Sequence, residues 1–246
     1  MLSKRVYMSI IATTKQTLCV GTHPKGKPFI FGFLFLSALG YAFYTPVGCL
    51  FLVLSIFSLY FFRNPDRMVP QGDGFVVASG DGIVCDIVEQ VMLPKELGMQ
   101  DLGANYTRIS IFLNVFNVHV NRVPVSGDIL KKIYIPGKFL NAAEDKSSDE
   151  NERSIVAVRT EHGDILSFVQ IAGFVARRIV CELHDGQKIT QGDRYGIIRF
   201  GSRCDIYVPS HYKVHVARDS VAVGGETIVA FNPQHYAPEQ MSWIKN

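Results

Sequence analysis

Arg199-Phe200-Gly201-Ser202-Arg203-Cys204-Asp205-Ile206-Tyr207-Val208-Pro209 is the stretch from which the fold reads outward. With Ile198 ahead of it, the even positions Phe200, Cys204, Ile206 and Val208 are apolar, while the odd positions Arg199, Arg203 and Asp205 are charged. A period of two predicts a single strand over 196–208 with one buried and one polar face. Ser202 falls on the apolar face. Gly201 beside it weakens a strand and marks a place where something approaches the backbone closely. Taken alone, the dipeptide reads as a bulge whose small buried hydroxyl bonds a carbonyl.

The same texture continues on both sides. After Pro70, short apolar runs alternate with Gly and Asp, and 75–78, 83–88, 107–112, 115–120, 129–135, 155–158, 165–170, 176–180, 214–217 and 227–231 read as further strands. Many short strands with turn signals between them predict a mainly β domain, a compact sandwich or barrel-like hybrid. Ala222-Val223-Gly224-Gly225-Glu226-Thr227 is a hairpin turn by its glycines. The longest irregular stretch, 136–153, holds Glu144, Asp145, Asp149, Glu150 and Glu152. It reads as a solvated loop or a lid.

Upstream the texture changes. Residues 29–62 contain no charge. Two full membrane spans need about 40 apolar residues, more than this run supplies. Thr45-Pro46 lies near its middle, and Pro removes a helix hydrogen bond and biases its predecessor away from helix. The run therefore predicts a hydrophobic helical hairpin with halves 29–44 and 47–62, barely spanning or dipping into one leaflet; a single tilted span is the alternative. Lys25 and Lys27 precede it, Arg63 and Arg67 follow it, and no acid occurs before Asp66. Positive charge on both flanks predicts both ends, and the following domain, on the cytoplasmic side of the cell's inner membrane. Residues 1–28 form a basic segment too long and mixed for the n-region of a signal peptide. The expected organisation is 1–28, 29–62 and a β-domain over 63–246.

Net charge is only +3 over 246 residues, so charge does not make the whole chain a nucleic-acid binder. The five cysteines (Cys19, Cys49, Cys85, Cys181 and Cys204) are odd in number and widely spaced, with no CxxC. That pattern argues against a disulfide framework or a zinc site and for reduced thiols.

Arg199-Phe200-Gly201-Ser202-Arg203, preceded by Gly196-Ile197-Ile198, resembles the self-cleavage segment of the phosphatidylserine decarboxylase proenzymes in their short bacterial form. It contains the chain's only Gly-Ser dipeptide. The resemblance runs from about Phe61 to about Ala230. Phe61-Phe62-Arg63-Asn64-Pro65 is similar to the family's Phe-Arg-Asp-Pro segment, with Asn64 for Asp. Ala78-Ser79-Gly80-Asp81-Gly82 is similar to its Ala-Asp-Gly motif. The stretch from Asn117 through His119, Asn121 and Arg122 to Pro124 is similar to its Asn-Val-His-X-Asn-Arg motif. Asn151-Glu152-Arg153 matches an Asn-Glu-Arg motif, and Gln170-Ile171-Ala172-Gly173 with Arg177-Arg178 matches a further segment. Each is weak singly: Asp81-Gly82 alone is a hairpin turn, His119 alone a bonded core histidine, and the Arg pair an exposed face near anionic lipid. Their order carries the resemblance.

The resemblance implies cleavage at Gly201-Ser202 into a β chain, 1–201, and an α chain, 202–246, which stay associated. It implies conversion of Ser202 to a pyruvoyl group that serves where pyridoxal phosphate serves elsewhere, with neither metal nor pyridoxal phosphate required. The implied reaction is decarboxylation of phosphatidylserine to phosphatidylethanolamine in the membrane. The residue chemistry agrees. Amide cleavage without water needs an internal nucleophile, here the Ser202 hydroxyl, and a base to take its proton. In long-form relatives the triad histidine lies nearer the Pro, at the position of Arg122, and His119 matches the other histidine. Asp81 is therefore expected to serve cleavage with Arg122 assisting, His119 to donate a proton in decarboxylation, and Arg122, Arg177 and Arg178 to be available to bind substrate. A triad of Asp81, His119 and Ser202 stays open, as does a homo-oligomer. The rivals are the same chemistry on an archaetidylserine-type lipid, or a non-enzymatic membrane-tethered module of lipoyl-carrier type. A carrier would want an exposed Lys in the 222–227 turn, which has none.

Overall fold

A computed structural model of the chain describes residues 20–137, 151–173, 178–199, 202–236 and 241–246. It divides into two units, residues 1–66 and 67–246.

The first unit contains strand β1 (Gly21–Thr22), helices α1 (Lys27–Phe43) and α2 (Thr45–Phe61), and strand β2 (Arg63–Asn64), which pairs with β1. Pro46 sits in the first turn of α2, where its missing N–H costs nothing, and Tyr44 supplies the extended break between the helices. The packing is inverted relative to a soluble helix pair. Small and polar residues face inward: Ser37 donates to Gly48 O at 2.8 Å, Ser55 donates to Ile30 O at 2.9 Å, and a Cβ on Gly40 would lie 2.7 Å from Gly48 N. Phe31, Phe35, Phe43, Leu50, Val53 and Ile56 face outward.

The second unit is mainly β, as the sequence predicts. Its strands in chain order are β3 (Met68–Gln71), β4 (Phe75–Val77), β5 (Gly82–Val91), β6 (Tyr106–Leu113), β7 (Val120–Arg122) and β8 (Gly127–Ile135). They are followed by β9 (Arg153–Arg159), β10 (Ile165–Ala172), β11 (Ile179–Cys181), β12 (Lys188–Ile189), β13 (Arg194–Ile198) and β14 (Ser202–Pro209). The last are β15 (Lys213–Val214), β16 (Val221–Ala222), β17 (Ile228–Phe231) and β18 (Ser242–Lys245). An eight-stranded antiparallel sheet, ordered β12-β8-β9-β10-β14-β6-β5-β16, is faced by two three-stranded sheets, β11-β13-β7 and β15-β17-β4, and β18 pairs with β3. Bulges at Val84/Asp86, Val88/Val91 and Ile129/Lys131 bend the large sheet.

The main core fills the sheet's inner face, with Ile109, Ile111, Val156, Phe168, Cys204, Ile206 and Val208 among its members. A second cluster of Leu93, Leu97, Tyr106, Ile155, Val169, Ile171 and Tyr207 covers the outer face. Two sequence expectations change here. First, 196–208 is not one strand. β13 belongs to the β11-β13-β7 sheet and β14 to the large sheet, so the chain changes sheets between Ile198 and Ser202. A continuous period of two cannot reveal such a joint, because both strands obey it. Second, β14 has no polar face, and all eight of its residues are buried. The Arg203 and Asp205 side chains neutralise each other through two 2.8 Å bonds, Nε to Oδ1 and Nη2 to Oδ2, at 2% and 1% exposure. The run 115–120 is likewise a loop ahead of β7 rather than a strand. The expected acidic loop falls mostly on residues 138–150, outside the described residues, as does most of the basic segment 1–28.

Candidate active site

Ser202 opens β14, the central strand of the large sheet. Its cross-strand neighbours are Ala172, the last residue of β10, and Leu113, the last residue of β6. Three strands therefore end together around it. The residue is fully buried on the inner face, and its hydroxyl has no hydrogen-bond partner among the described residues. Sequence reading put Ser202 inward, and that is where it lies; the carbonyl partner of the bulge reading is not found among the described residues. Gly201 and Phe200 lie outside them.

Next to Ser202 on the same face is a buried amide network. Gln170 Nε2 donates to Asn121 Oδ1 at 2.8 Å, and Asn121 Nδ2 donates to Cys204 Sγ at 3.3 Å. Gln170 and Cys204 face each other across β10 and β14. Burial pushes the Cys204 thiol up to about 12, so it stays neutral at physiological pH. Nothing in the sequence singles out Asn121 or Gln170 except membership of their motifs. An amide in an apolar run earns its place by a partner that only the fold supplies.

The loop from Asn114 to Val118 leads from Leu113 to His119. It is tied by its own amides: Asn114 N donates to Asn117 Oδ1 at 2.9 Å and Phe116 N to Asn114 Oδ1 at 2.8 Å. His119 is fully buried, with Nδ1 3.0 Å from Asn117 O. A carbonyl oxygen only accepts, so Nδ1 carries the proton of the neutral ring and Nε2 is its basic nitrogen. The His119 carbonyl accepts from Ile198 N at 3.3 Å, which fastens the histidine's backbone to the strand that leads into 199–201.

Asp81 lies in the turn before β5, as its Asp-Gly context predicts. Its oxygens are held: Oδ2 by Arg67 Nη2 at 2.6 Å and Oδ1 by the Gly224 N–H at 2.9 Å. The turn bearing Gly224 approaches so closely that a Cβ there would lie 3.0 Å from Gly80 Cα. Gly80 in turn packs on Leu113, Ser202's neighbour, and a Cβ there would lie 3.3 Å from Asn121 Nδ2. Arg122 is buried. Its backbone N donates to Ser79 O at 2.9 Å and its Nη1 to Gly192 O at 2.7 Å. The fold thus gathers the Ser79–Asp81 turn, Asn121, Arg122 and the Gly224 turn at the Leu113 end of β6, beside which Ser202 begins.

Arg178 is exposed just before β11, and its carbonyl accepts from Arg199 N at 3.4 Å. Burial and the neighbouring Arg178 charge together lower the pKa of Arg199. Two cations therefore flank the 199–201 segment. Arg177 lies outside the described residues. Arg67 and Arg199 are site residues that sequence reading missed, the first taken as a membrane flank and the second as an outward strand charge. A cavity of about 290 Å³, lined by Glu96, Arg108, Arg153, Asp205 and Tyr207, lies on the outer face of the sheet, away from Ser202. Among the described residues no group of His, Cys, Asp and Glu could hold a metal ion.

Comparison with known proteins bears on this arrangement directly. A family model described as phosphatidylserine decarboxylase matches residues 54–230, from the second half of α2 through β17. Curated phosphatidylserine decarboxylase proenzymes of Rickettsia akari, Rickettsia bellii and Rickettsia prowazekii are 49%, 48% and 49% identical over 208 residues, 85% of this chain and 89% of each relative. The matched region contains Asp81, His119, Arg122 and Ser202, and a match of this depth and extent shows that the chain belongs to the phosphatidylserine decarboxylase family.

Proposed function

We propose that the chain is a self-processing phosphatidylserine decarboxylase: it cuts itself between Gly201 and Ser202, keeps its two pieces together, and decarboxylates phosphatidylserine to phosphatidylethanolamine at residue 202. One observation carries the reading. A serine hydroxyl is buried at a strand's first residue, where three strand ends meet, among groups that can handle protons and anions. A non-enzymatic tethered module has no use for that arrangement.

Cleavage starts with the Ser202 hydroxyl attacking the Gly201 carbonyl carbon while a base takes the hydroxyl proton. The peptide C–N bond breaks as an ester forms, and loss of the Ser202 α-proton then frees the Gly201 carboxylate. Asp81 serves this step, positioned by Arg67 and the Gly224 N–H, with Arg122 in support. The burial of residue 202 favours a neutral product. A charged α-ammonium there would be left in apolar surroundings at a cost of several kcal/mol. A keto acyl group carries no charge, so the site fits a pyruvoyl group. Once formed, that group supplies an electron sink that accepts the pair released as the substrate's carboxylate leaves as carbon dioxide. His119 delivers the replacing proton from Nε2 and recovers it near neutral pH, which suits imidazole. Arg178, with Arg199 and with Arg177 beside it in sequence, holds the phosphate; guanidinium is well shaped for that contact. The inverted packing of α1 and α2 supports a hydrophobic hairpin embedded in the membrane, with small residues at the helix contact and large apolar ones toward lipid. α1 with its preceding turn is long and apolar enough to cross, whereas α2 at 17 residues spans about 26 Å against a core of about 30 Å. The basic flanks favour the cytoplasmic face of the inner membrane.

Intact mass under denaturing conditions tests the proposal. The expected result is a 1–201 chain and a 202–246 chain with a blocked N-terminus, and a single uncut chain in the Ser202→Ala variant, which is inactive. An uncut chain in active protein overturns it.

A further inference from the structure

The β3–β18 ribbon is a two-stranded sheet of its own, and β18 leaves one edge open. Its register pairs Trp243 with Pro70 and Lys245 with Met68. Trp243 and Met68 therefore share one face, and Ile244 projects from the other with Val69. Trp243 is 53% exposed, Ile244 55% and Met68 47%. Scattered single apolar residues on a surface need no explanation, but three on one short open edge do. The ribbon is not a loose end. Asn246 exchanges backbone hydrogen bonds with Arg67 at 2.6 and 2.8 Å, its side chain donates to Asp193 Oδ1 at 2.8 Å, and its carbonyl accepts from Arg122 Nη2 at 3.3 Å.

Covalent geometry limits what can cover this edge. α2 ends at Phe61 and β3 begins at Met68. A fully extended chain over that interval reaches at most about 25 Å. A bilayer that holds α2 therefore holds the start of the ribbon close to its surface, whatever the orientation of the domain. Trp at the edge, flanked by Met, Ile and Lys, is the composition of a segment that rests among lipid headgroups.

We propose that the β3–β18 ribbon is a second membrane contact, docking edge-on into the interfacial layer of the phospholipid bilayer in which the helices are anchored. It rests on the hairpin reading above. The open backbone edge of β18 cannot enter hydrocarbon with unpaired N–H and C=O groups, so the ribbon stays shallow. Because the helices already tether the domain, even a weak contact is made often. Its effect is orientation: Arg67, which pairs with the last residue of the chain, is also the residue that holds Asp81.

Trp243 is the only tryptophan in the chain, so native fluorescence reports on the ribbon directly. The full chain is reconstituted into phosphatidylcholine–phosphatidylglycerol vesicles, with bromine placed either near the glycerol end or near the methyl end of the acyl chains. The expected result is emission shifted to the blue and reduced about two-fold by shallow bromines, with a weaker effect of deep ones, as for an interfacial indole. The Trp243→Phe, Met68→Trp variant should repeat the pattern from the partner strand. Vesicle flotation is scored on the same samples. Protein that floats while Trp243 ignores both bromines overturns this inference and leaves the hairpin standing. Protein that does not float overturns both. Emission that follows protein concentration rather than bromination gives the edge to a second copy and also overturns the proposal.

Discussion

Replacing Asp205 by Asn leaves the Arg203 guanidinium in the middle of the sheet without its carboxylate. The two side chains are 2% and 1% exposed and joined by two 2.8 Å bonds. Burial pulls the guanidinium's pKa down, and the Asp205 charge and hydrogen bonds raise it above its ordinary value, so the pair holds its charge only as a pair. Breaking a buried pair from one side costs about 3–5 kcal/mol. In a domain the size of residues 67–246 that lowers the thermal midpoint by about 6–20 °C. Removing both partners, Arg203→Met with Asp205→Leu, should recover most of the loss, because apolar replacements of similar volume need no desolvation. Thermal unfolding followed by near-ultraviolet circular dichroism, with every variant in the Ser202→Ala background, compares one covalent species throughout. A midpoint lowered by less than about 2 °C in Asp205→Asn, or a double variant no better than the single ones, would refute the buried-pair reasoning.

Asp81→Asn should accumulate uncut chain, whereas His119→Ala should be cut and turn over at least about 10²-fold more slowly; gel pattern against activity separates the two roles, and an uncut His119→Ala would return His119 to the cleavage step. The Cys204 thiol ionises near 9 when unfolded and at about 12 when folded, so stability is intact below pH 9 and falls as pH rises from there toward 12. Within that window the Cys204→Ala slope should be shallower by about 1.4 kcal/mol per pH unit in denaturant titrations, and equal slopes would place the thiol in water. Deleting residues 29–62 should release the protein to the soluble fraction while cleavage continues; firm sedimentation with membranes would make the ribbon, not the helices, the anchor. Arg178→Ala should raise KM for lipid vesicles with little change in kcat, and a pure loss of kcat would remove Arg178 from phosphate binding.

The sequence by itself determined the class of every large region. A run with no charge from 29 to 62 cannot be anything but hydrophobic, and Pro46 dictates where its helix must restart. Alternation from Phe75 onward specifies strands, and the order of the motifs around Ser202 specifies the family. Local patterns suffice for these because they depend on neighbours in the chain. What depends on partners distant in sequence was decided only by the tertiary structure. Arg203 and Asp205 read as an outward face, and the second apolar layer from Leu93 to Tyr207 turned that face into an interior where only each other's charge makes them tolerable. Arg67 read as a membrane flank until the return of the chain's end alongside Met68–Gln71 brought it onto Asp81. The break between Ile198 and Ser202 was hidden because strands in different sheets share one period, and only their pairing partners, His119 and Ile179 for one and Ala172 and Leu113 for the other, tell them apart.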